Sequence, residues 1–113
     1  MHPGRLPSGL AQIPFVWPCV DGFHYFRPEP VAPSLVRDQW LERLAAVAEQ
    51  GGLFLVICHA FLTGVDEERL AALDAVVAAA VRDERVTIRT AGAIARALPP
   101  RRITCRCRES RPA

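Results

Sequence analysis

The chain has 113 residues, half of them hydrophobic and 23% charged, and its mean hydropathy is +0.13. These values exclude disordered, collagen-like and fibrous chains, and the length excludes a complete (β/α)8 enzyme, which needs roughly 200–250 residues. All 14 basic residues are arginine and the formal net charge is only +2, so no basic face with interleaved aromatics points to nucleic acid.

Residues 1–11 read as a Pro/Gly-rich lead, and Met1–Gly4 lacks the charged-then-apolar pattern of an export signal. Ile13-Pro14-Phe15-Val16-Trp17 is a short β-branched and aromatic run that predicts a strand, with Pro14 at its start or on an edge. Asp21-Gly22 marks a turn, and the prolines at 28, 30 and 33 mark a loop. Ser34 is positioned to cap a helix running to about Gln50, with Val36, Trp40, Leu44 and Val47 as its apolar stripe and Gly51-Gly52 as its stop.

Leu53-Phe54-Leu55-Val56-Ile57-Cys58 is a continuous apolar run, the pattern of a central parallel strand covered on both faces. Thr63 or Gly64 is expected to cap the next helix. Its first turn holds Asp66, Glu67 and Glu68, its buried stripe is Leu70, Leu73, Val77 and Ala80/Val81, and it ends near Arg82. Val86–Arg89 predicts a third strand, and Thr90 caps a brief helix over Ala91–Leu98. The order β-loop-α-β-α-β-α implies an α/β fold with parallel strands and right-handed crossovers. Three strands leave two open edges, so the sheet reads as a segment of a larger α/β layer.

The longest apolar run, Leu53–Leu62, is interrupted by His59 and is far below the roughly 18 residues of a membrane-spanning helix. The expectation is a cytoplasmic protein without a membrane partner. Four cysteines lie at 19, 58, 105 and 107, and Cys105-x-Cys107 is too short a spacing for the usual zinc pair. Residues 99–113, rich in arginine, are expected to form a disordered tail.

Reactive groups in parallel α/β folds gather just past the C-terminal ends of the strands. His59 stands at such an end, between Ile57 and Phe61. It reads either as a general acid/base or metal ligand, or as a histidine that closes a strand by bonding a loop carbonyl. Asp21 either orients a histidine, as a buried carboxylate does in a hydrolase triad, or belongs to an ordinary turn. His24, among Phe23, Tyr25 and Phe26, forms either a ring-stacking wall or a loop anchor.

The stretch Gly51-Gly52-Leu53-Phe54-Leu55-Val56-Ile57-Cys58-His59-Ala60-Phe61-Leu62-Thr63-Gly64 resembles the last strand and loop of the polysaccharide deacetylase (NodB-homology) family, in its allantoinase-like and peptidoglycan-deacetylase-like branch. Ile13–Trp17 with Val20-Asp21, Arg69–Asp74 and Val86–Ala95 fit the same branch, so the likeness covers about residues 12–98. The resemblance implies a partial domain of a distorted (β/α) barrel from a metal-dependent hydrolase of non-peptide C–N bonds, typically N-acetyl groups on amino sugars. It implies His59 as the late acid that protonates the leaving amine and Asp21 as its partner. Trp17, Ile57 and Phe61 are then expected to contact substrate.

A divalent, zinc-type ion is implied, but the segments that carry the family's metal ligands have no counterpart in this chain. Ala60 also stands where the family has proline. Three readings result: the C-terminal piece of such a hydrolase, acting on a carbohydrate or small amide once a complementing N-terminal half is supplied; a silent, glycan-binding remnant that self-associates through its open sheet edges; or a protein-interaction module.

Overall fold

A computed structural model describes residues 2–100; the remainder of the Arg-rich tail, with Cys105 and Cys107, lies outside the described residues. The lead is not featureless. Gly4–Arg5 (β1) and Ala11–Gln12 (β2) pair antiparallel, Gly4 opposite Gln12 and Arg5 opposite Ala11. A tight turn closes this hairpin, with the Gly9 N–H donating to the Leu6 carbonyl at 2.8 Å and Gly9 at φ 89°, a left-handed conformation glycine adopts without steric cost. The Arg5 guanidinium donates to the Ala95 and Leu98 carbonyls at 3.1 and 3.3 Å. It thereby fastens the hairpin to the end of the last helix, where a cation complements the helix dipole.

Among the described residues four α-helices follow: α1 (Asp21–Tyr25), α2 (Pro33–Gln50), α3 (Glu67–Arg82) and α4 (Ala91–Ala97). α2 begins two residues earlier than a Ser34 cap predicts, with Ala32 at the cap position. Pro33 occupies its first position, where the missing N–H costs nothing and φ is already helical, so Ser34 is not the cap. Its stripe is as expected, with Val36, Trp40 and Leu44 buried. The helix stops at Gly51, φ 83°, whose N–H donates to the Val47 carbonyl at 2.7 Å.

α3 is capped by Asp66, not by Thr63 or Gly64; Asp66 Oδ1 accepts from the Glu68 and Arg69 N–H groups, both at 3.0 Å. Its buried side is also rotated from the expected one. Ala72 and Val76 are buried with Leu73 and Ala80 beside them, whereas Leu70, Val77 and Val81 are exposed. Small alanines let α3 lie close against α2, and this proximity decides the face more than the size of the apolar side chains does. Tyr25, Val36, Trp40, Leu44, Leu62 and Val76 form the core. Thr90 caps α4 as expected, accepting from the Ala93 N–H at 3.1 Å.

The predicted strands need correction. Ile13–Trp17 forms no strand; its end turns into a short 3-10 helix, Trp17–Cys19. Val86–Arg89 has no strand pairing, and Leu53–Cys58 pairs at one point, a parallel bridge between Val20 and Ile57. All six residues of Leu53–Cys58 are half-buried, not covered on both faces. Leu53–Val56 and Thr87–Arg89 border one cavity, but among the described residues no backbone pairing joins either segment to a neighbour. The result is a helix-rich α/β arrangement whose small sheet is the N-terminal hairpin. Among the described residues no helix is long and apolar enough to cross a membrane.

Candidate active site

The Val20–Ile57 bridge determines the site. The Ile57 N–H donates to the Cys19 carbonyl at 3.0 Å and the Asp21 N–H donates to the Ile57 carbonyl at 2.9 Å. Because the two segments run parallel, the residues just past each pairing emerge on the same side. One is Asp21, the first residue of α1; the other is His59, which opens a tight turn.

That turn is bound by the Leu62 and Thr63 N–H groups, which both donate to the His59 carbonyl, at 3.0 and 2.9 Å. Glycine is required within it. A Cβ on Gly64 would lie 2.7 Å from the Ala60 carbonyl oxygen.

Asp21 is completely buried. Its Oδ1 is 2.7 Å from His59 Nδ1, and its Oδ2 accepts from the His59 backbone N–H at 2.6 Å and from the Thr63 hydroxyl at 2.7 Å. Burial alone pushes a carboxyl up. The His59 N–H, the imidazole and the Thr63 hydroxyl together overcome that and hold Asp21 below the ordinary carboxylate range. An ionised Asp21 can only accept, so Nδ1 carries the proton and donates. The other nitrogen, Nε2, has no bonding partner among the described residues, and the His59 side chain is 44% exposed. The dyad is therefore a fixed imidazole with one nitrogen anchored inside and the other offered outward.

Of the residues expected at the site, Asp21 and His59 are joined directly. The exposed Phe61 ring stands 5.4 Å from the imidazole, and Ile57 supplies the backbone pairing that aligns the dyad. Trp17 is exposed on the 3-10 turn leading to Asp21, and its ring neighbour is Phe15 at 5.5 Å, edge to face.

His24 takes the anchoring role rather than forming an open wall. It is buried, and its Nε2 and the Trp40 Nε1 both lie 2.7 Å from the Pro18 carbonyl, which accepts from the two rings. This clamp fixes the turn that precedes Asp21. Sequence reading missed Thr63 as part of the site by assigning its hydroxyl to a helix cap. A hydroxyl four residues beyond a histidine at a strand end was the available signal.

Two thiols lie nearby, and neither is activated. Burial pushes Cys19 up against the pull of Arg43, and pushes Cys58 up against the Thr63 hydroxyl beside it. Tyr25, buried with its hydroxyl unpartnered, is pushed up to about 12 by burial, with the Arg69 guanidinium opposing from 4.6 Å over the ring.

Among the described residues no group of three His, Cys, Asp or Glu side chains is placed to hold a metal ion. Both Asp21 oxygens are already occupied by three donors. The residues present therefore do not fit the zinc-type ion that the resemblance implies, and no step of the chemistry is routed through one.

No protein-family model and no curated protein matches the chain. Among solved structures, it is similar to a Mycobacterium smegmatis protein provisionally assigned as a polysaccharide deacetylase, at 28% identity and a TM-score of 0.76. The match covers 91% of this chain and 41% of that one, so the chain spans about two fifths of that relative's length. This likeness supports the polysaccharide deacetylase family.

Proposed function

We propose that this relative of the polysaccharide deacetylases is the C-terminal part of a deacetylase-like hydrolase, cleaving non-peptide C–N bonds in N-acetyl sugars or related small amides. The observation that carries the reading is the Asp21–His59 dyad, with Nδ1 held by a buried carboxylate and Nε2 directed outward. In the protonated imidazole, Nε2–H gives its proton to the amine nitrogen as the C–N bond breaks. His59 is left neutral with Nδ1–H still on Asp21. Ile57, Phe61 and Trp17 are the walls offered to substrate.

In this reading residues 12–98 are the last strand–helix units of a distorted barrel. Support comes from the parallel sense of the Val20–Ile57 bridge and from the partial coverage of the solved relative. The absent units bring the metal site of this metal-dependent family and pair with the open Leu53–Val56 and Thr87–Arg89 segments. Those segments border an apolar cavity of about 420 Å3 lined by Leu44, Phe54, Val56, Val76 and Ile88.

The test is acetate release from N-acetylglucosamine oligomers with zinc, by this chain alone and mixed with the N-terminal part of the M. smegmatis relative. Activity only in the mixture, lost by about 10²–10⁴ in His59→Ala, is the expected outcome. A mixture as active with His59→Ala as without it removes His59 from the chemistry.

A second reading, a silent glycan-binding module, is favoured by the 64% and 66% exposure of the Trp17 and Phe61 rings. It predicts oligosaccharide binding by the chain alone, weakened by Trp17→Ala, with no hydrolysis in any mixture.

A further inference from the structure

Thr63 is buried at 2% exposure, yet its hydroxyl serves neither a helix cap nor its own turn; it is spent on Asp21. A carboxylate with two oxygens can turn about its Cα–Cβ and Cβ–Cγ bonds, and an imidazole can carry its neutral-state proton on either nitrogen. One His59–Asp21 hydrogen bond constrains neither motion fully. At Oδ2, however, two donors converge from the same loop, the His59 N–H at 2.6 Å and the Thr63 Oγ1 at 2.7 Å. Together they fill that oxygen and leave Oδ1 for Nδ1 alone.

We propose that Thr63 is a positioning residue for His59: its hydroxyl fixes the rotation of the Asp21 carboxylate, reserving Oδ1 for Nδ1–H and leaving Nε2 as the single nitrogen that meets substrate. This deepens the hydrolase reading and rests on it for the meaning of substrate, but the arrangement itself is a property of the chain alone. Gly64 belongs to the same device. Because no side chain fits against the Ala60 carbonyl there, the chain can fold back closely enough to bring Thr63 under Asp21. The ionisable groups around the hydroxyl are Asp21 and His59, which it orients, and the Cys58 thiol beside it, which burial keeps protonated.

The experiment is nitrogen-15 NMR of the imidazole in the unsubstituted chain, Thr63→Val, Thr63→Ala and Thr63→Ser. The Trp40 indole N–H resonance, bonded to Pro18, serves as an independent report of the fold. The unsubstituted chain should hold neutral His59 with the proton on Nδ1. Thr63→Val and Thr63→Ala should move the tautomer ratio toward Nε2–H by about threefold to tenfold, the size of one typical net hydrogen bond. Thr63→Ser should restore it.

An unchanged ratio in a folded Thr63→Val or Thr63→Ala overturns the proposal. If neither variant folds, the unsubstituted chain decides. A slowly exchanging Thr63 hydroxyl proton with a cross-peak to the His59 amide supports it, and a rapidly exchanging one overturns it. No readout involves turnover, so failure here leaves the hydrolase reading standing, and an inactive mixture leaves this result standing.

Discussion

Val20 and Ile57 form a single parallel bridge, and that one pairing places Asp21 beside His59 although 38 residues separate them in the chain. The arrangement requires the two segments to run in the same direction. In an antiparallel pair the residues after each bridge would leave at opposite ends, and a carboxylate could not reach both the ring and the backbone of one histidine. The bridge also gives Asp21 a structural role, because its carboxylate ties the start of α1 to the turn before α3.

Asp21→Asn tests that role. The amide keeps the shape and can still accept the His59 N–H and the Thr63 hydroxyl, but it removes the charge and turns an N–H2 group toward Nδ1, a contact that survives only when the neutral imidazole moves its proton to Nε2. The expected loss is about 2–4 kcal/mol, between the values for a charged hydrogen bond and a broken buried pair. It should appear as a lower urea midpoint at unchanged slope.

The pH dependence of stability follows from the same carboxyl. Its folded pKa lies below the ordinary value near 3.9, so as pH falls the unfolded chain takes up the proton first. The contribution is complete above about pH 4 and is lost as pH drops through the folded value. Asp83 titrates in the same acid window, held down to about 2 by hydrogen bonds from the Arg85 side chain and backbone. That pair is open to solvent and salt screens it, whereas the buried Asp21 is shielded. Urea unfolding between pH 2 and 6 in high salt should retain the acid loss in the unsubstituted chain and in Asp83→Asn, and show less of it in Asp21→Asn.

How far the sequence discloses this site depends on which residues carry pattern. Asp21 and His59 are legible because chemistry in parallel α/β folds lies just past the strand ends, and the helix between them, α2, displays its stripe at Val36, Trp40 and Leu44. Thr63 is hidden because a hydroxyl before an acidic helical turn looks like a cap, and Asp66 takes that role. The buried side of α3 is hidden because alanine at 72 carries little hydrophobic signal while exposed Leu70, Val77 and Val81 carry a great deal. Leu53–Cys58 and Val86–Arg89 have strand composition without strand pairing, since pairing is a property of neighbours and composition is not.

Gly64→Ala measures how much the site depends on the close turn. Its Cβ would sit 2.7 Å from the Ala60 oxygen, a backbone atom that cannot swing aside, so the turn must open. The expected cost is about 1–3 kcal/mol, the usual size of an overpacking strain. The Thr63–Asp21 bond should lengthen with it, read as faster exchange of the Thr63 hydroxyl proton.

The Pro18 carbonyl gives a prediction about coupling. It accepts from the His24 and Trp40 rings at 2.7 Å each, one for each lone pair. Removing one donor leaves the oxygen bonded by the other, so each deletion, His24→Phe or Trp40→Phe, loses one hydrogen bond of about 1 kcal/mol plus its own change in packing. Removing both leaves the carbonyl of exposed Pro18 without a protein partner, and where the two replacing phenyl rings keep water from it the orphaned acceptor costs about 1–3 kcal/mol beyond the bonds lost. The double variant should therefore be less stable than the sum of the singles, with a coupling of about 0.5–3 kcal/mol in a double-mutant cycle. Strict additivity would mean that water reaches Pro18 once the rings withdraw, and the turn before Asp21 would then be held by its own backbone hydrogen bonds and the Val20–Ile57 bridge.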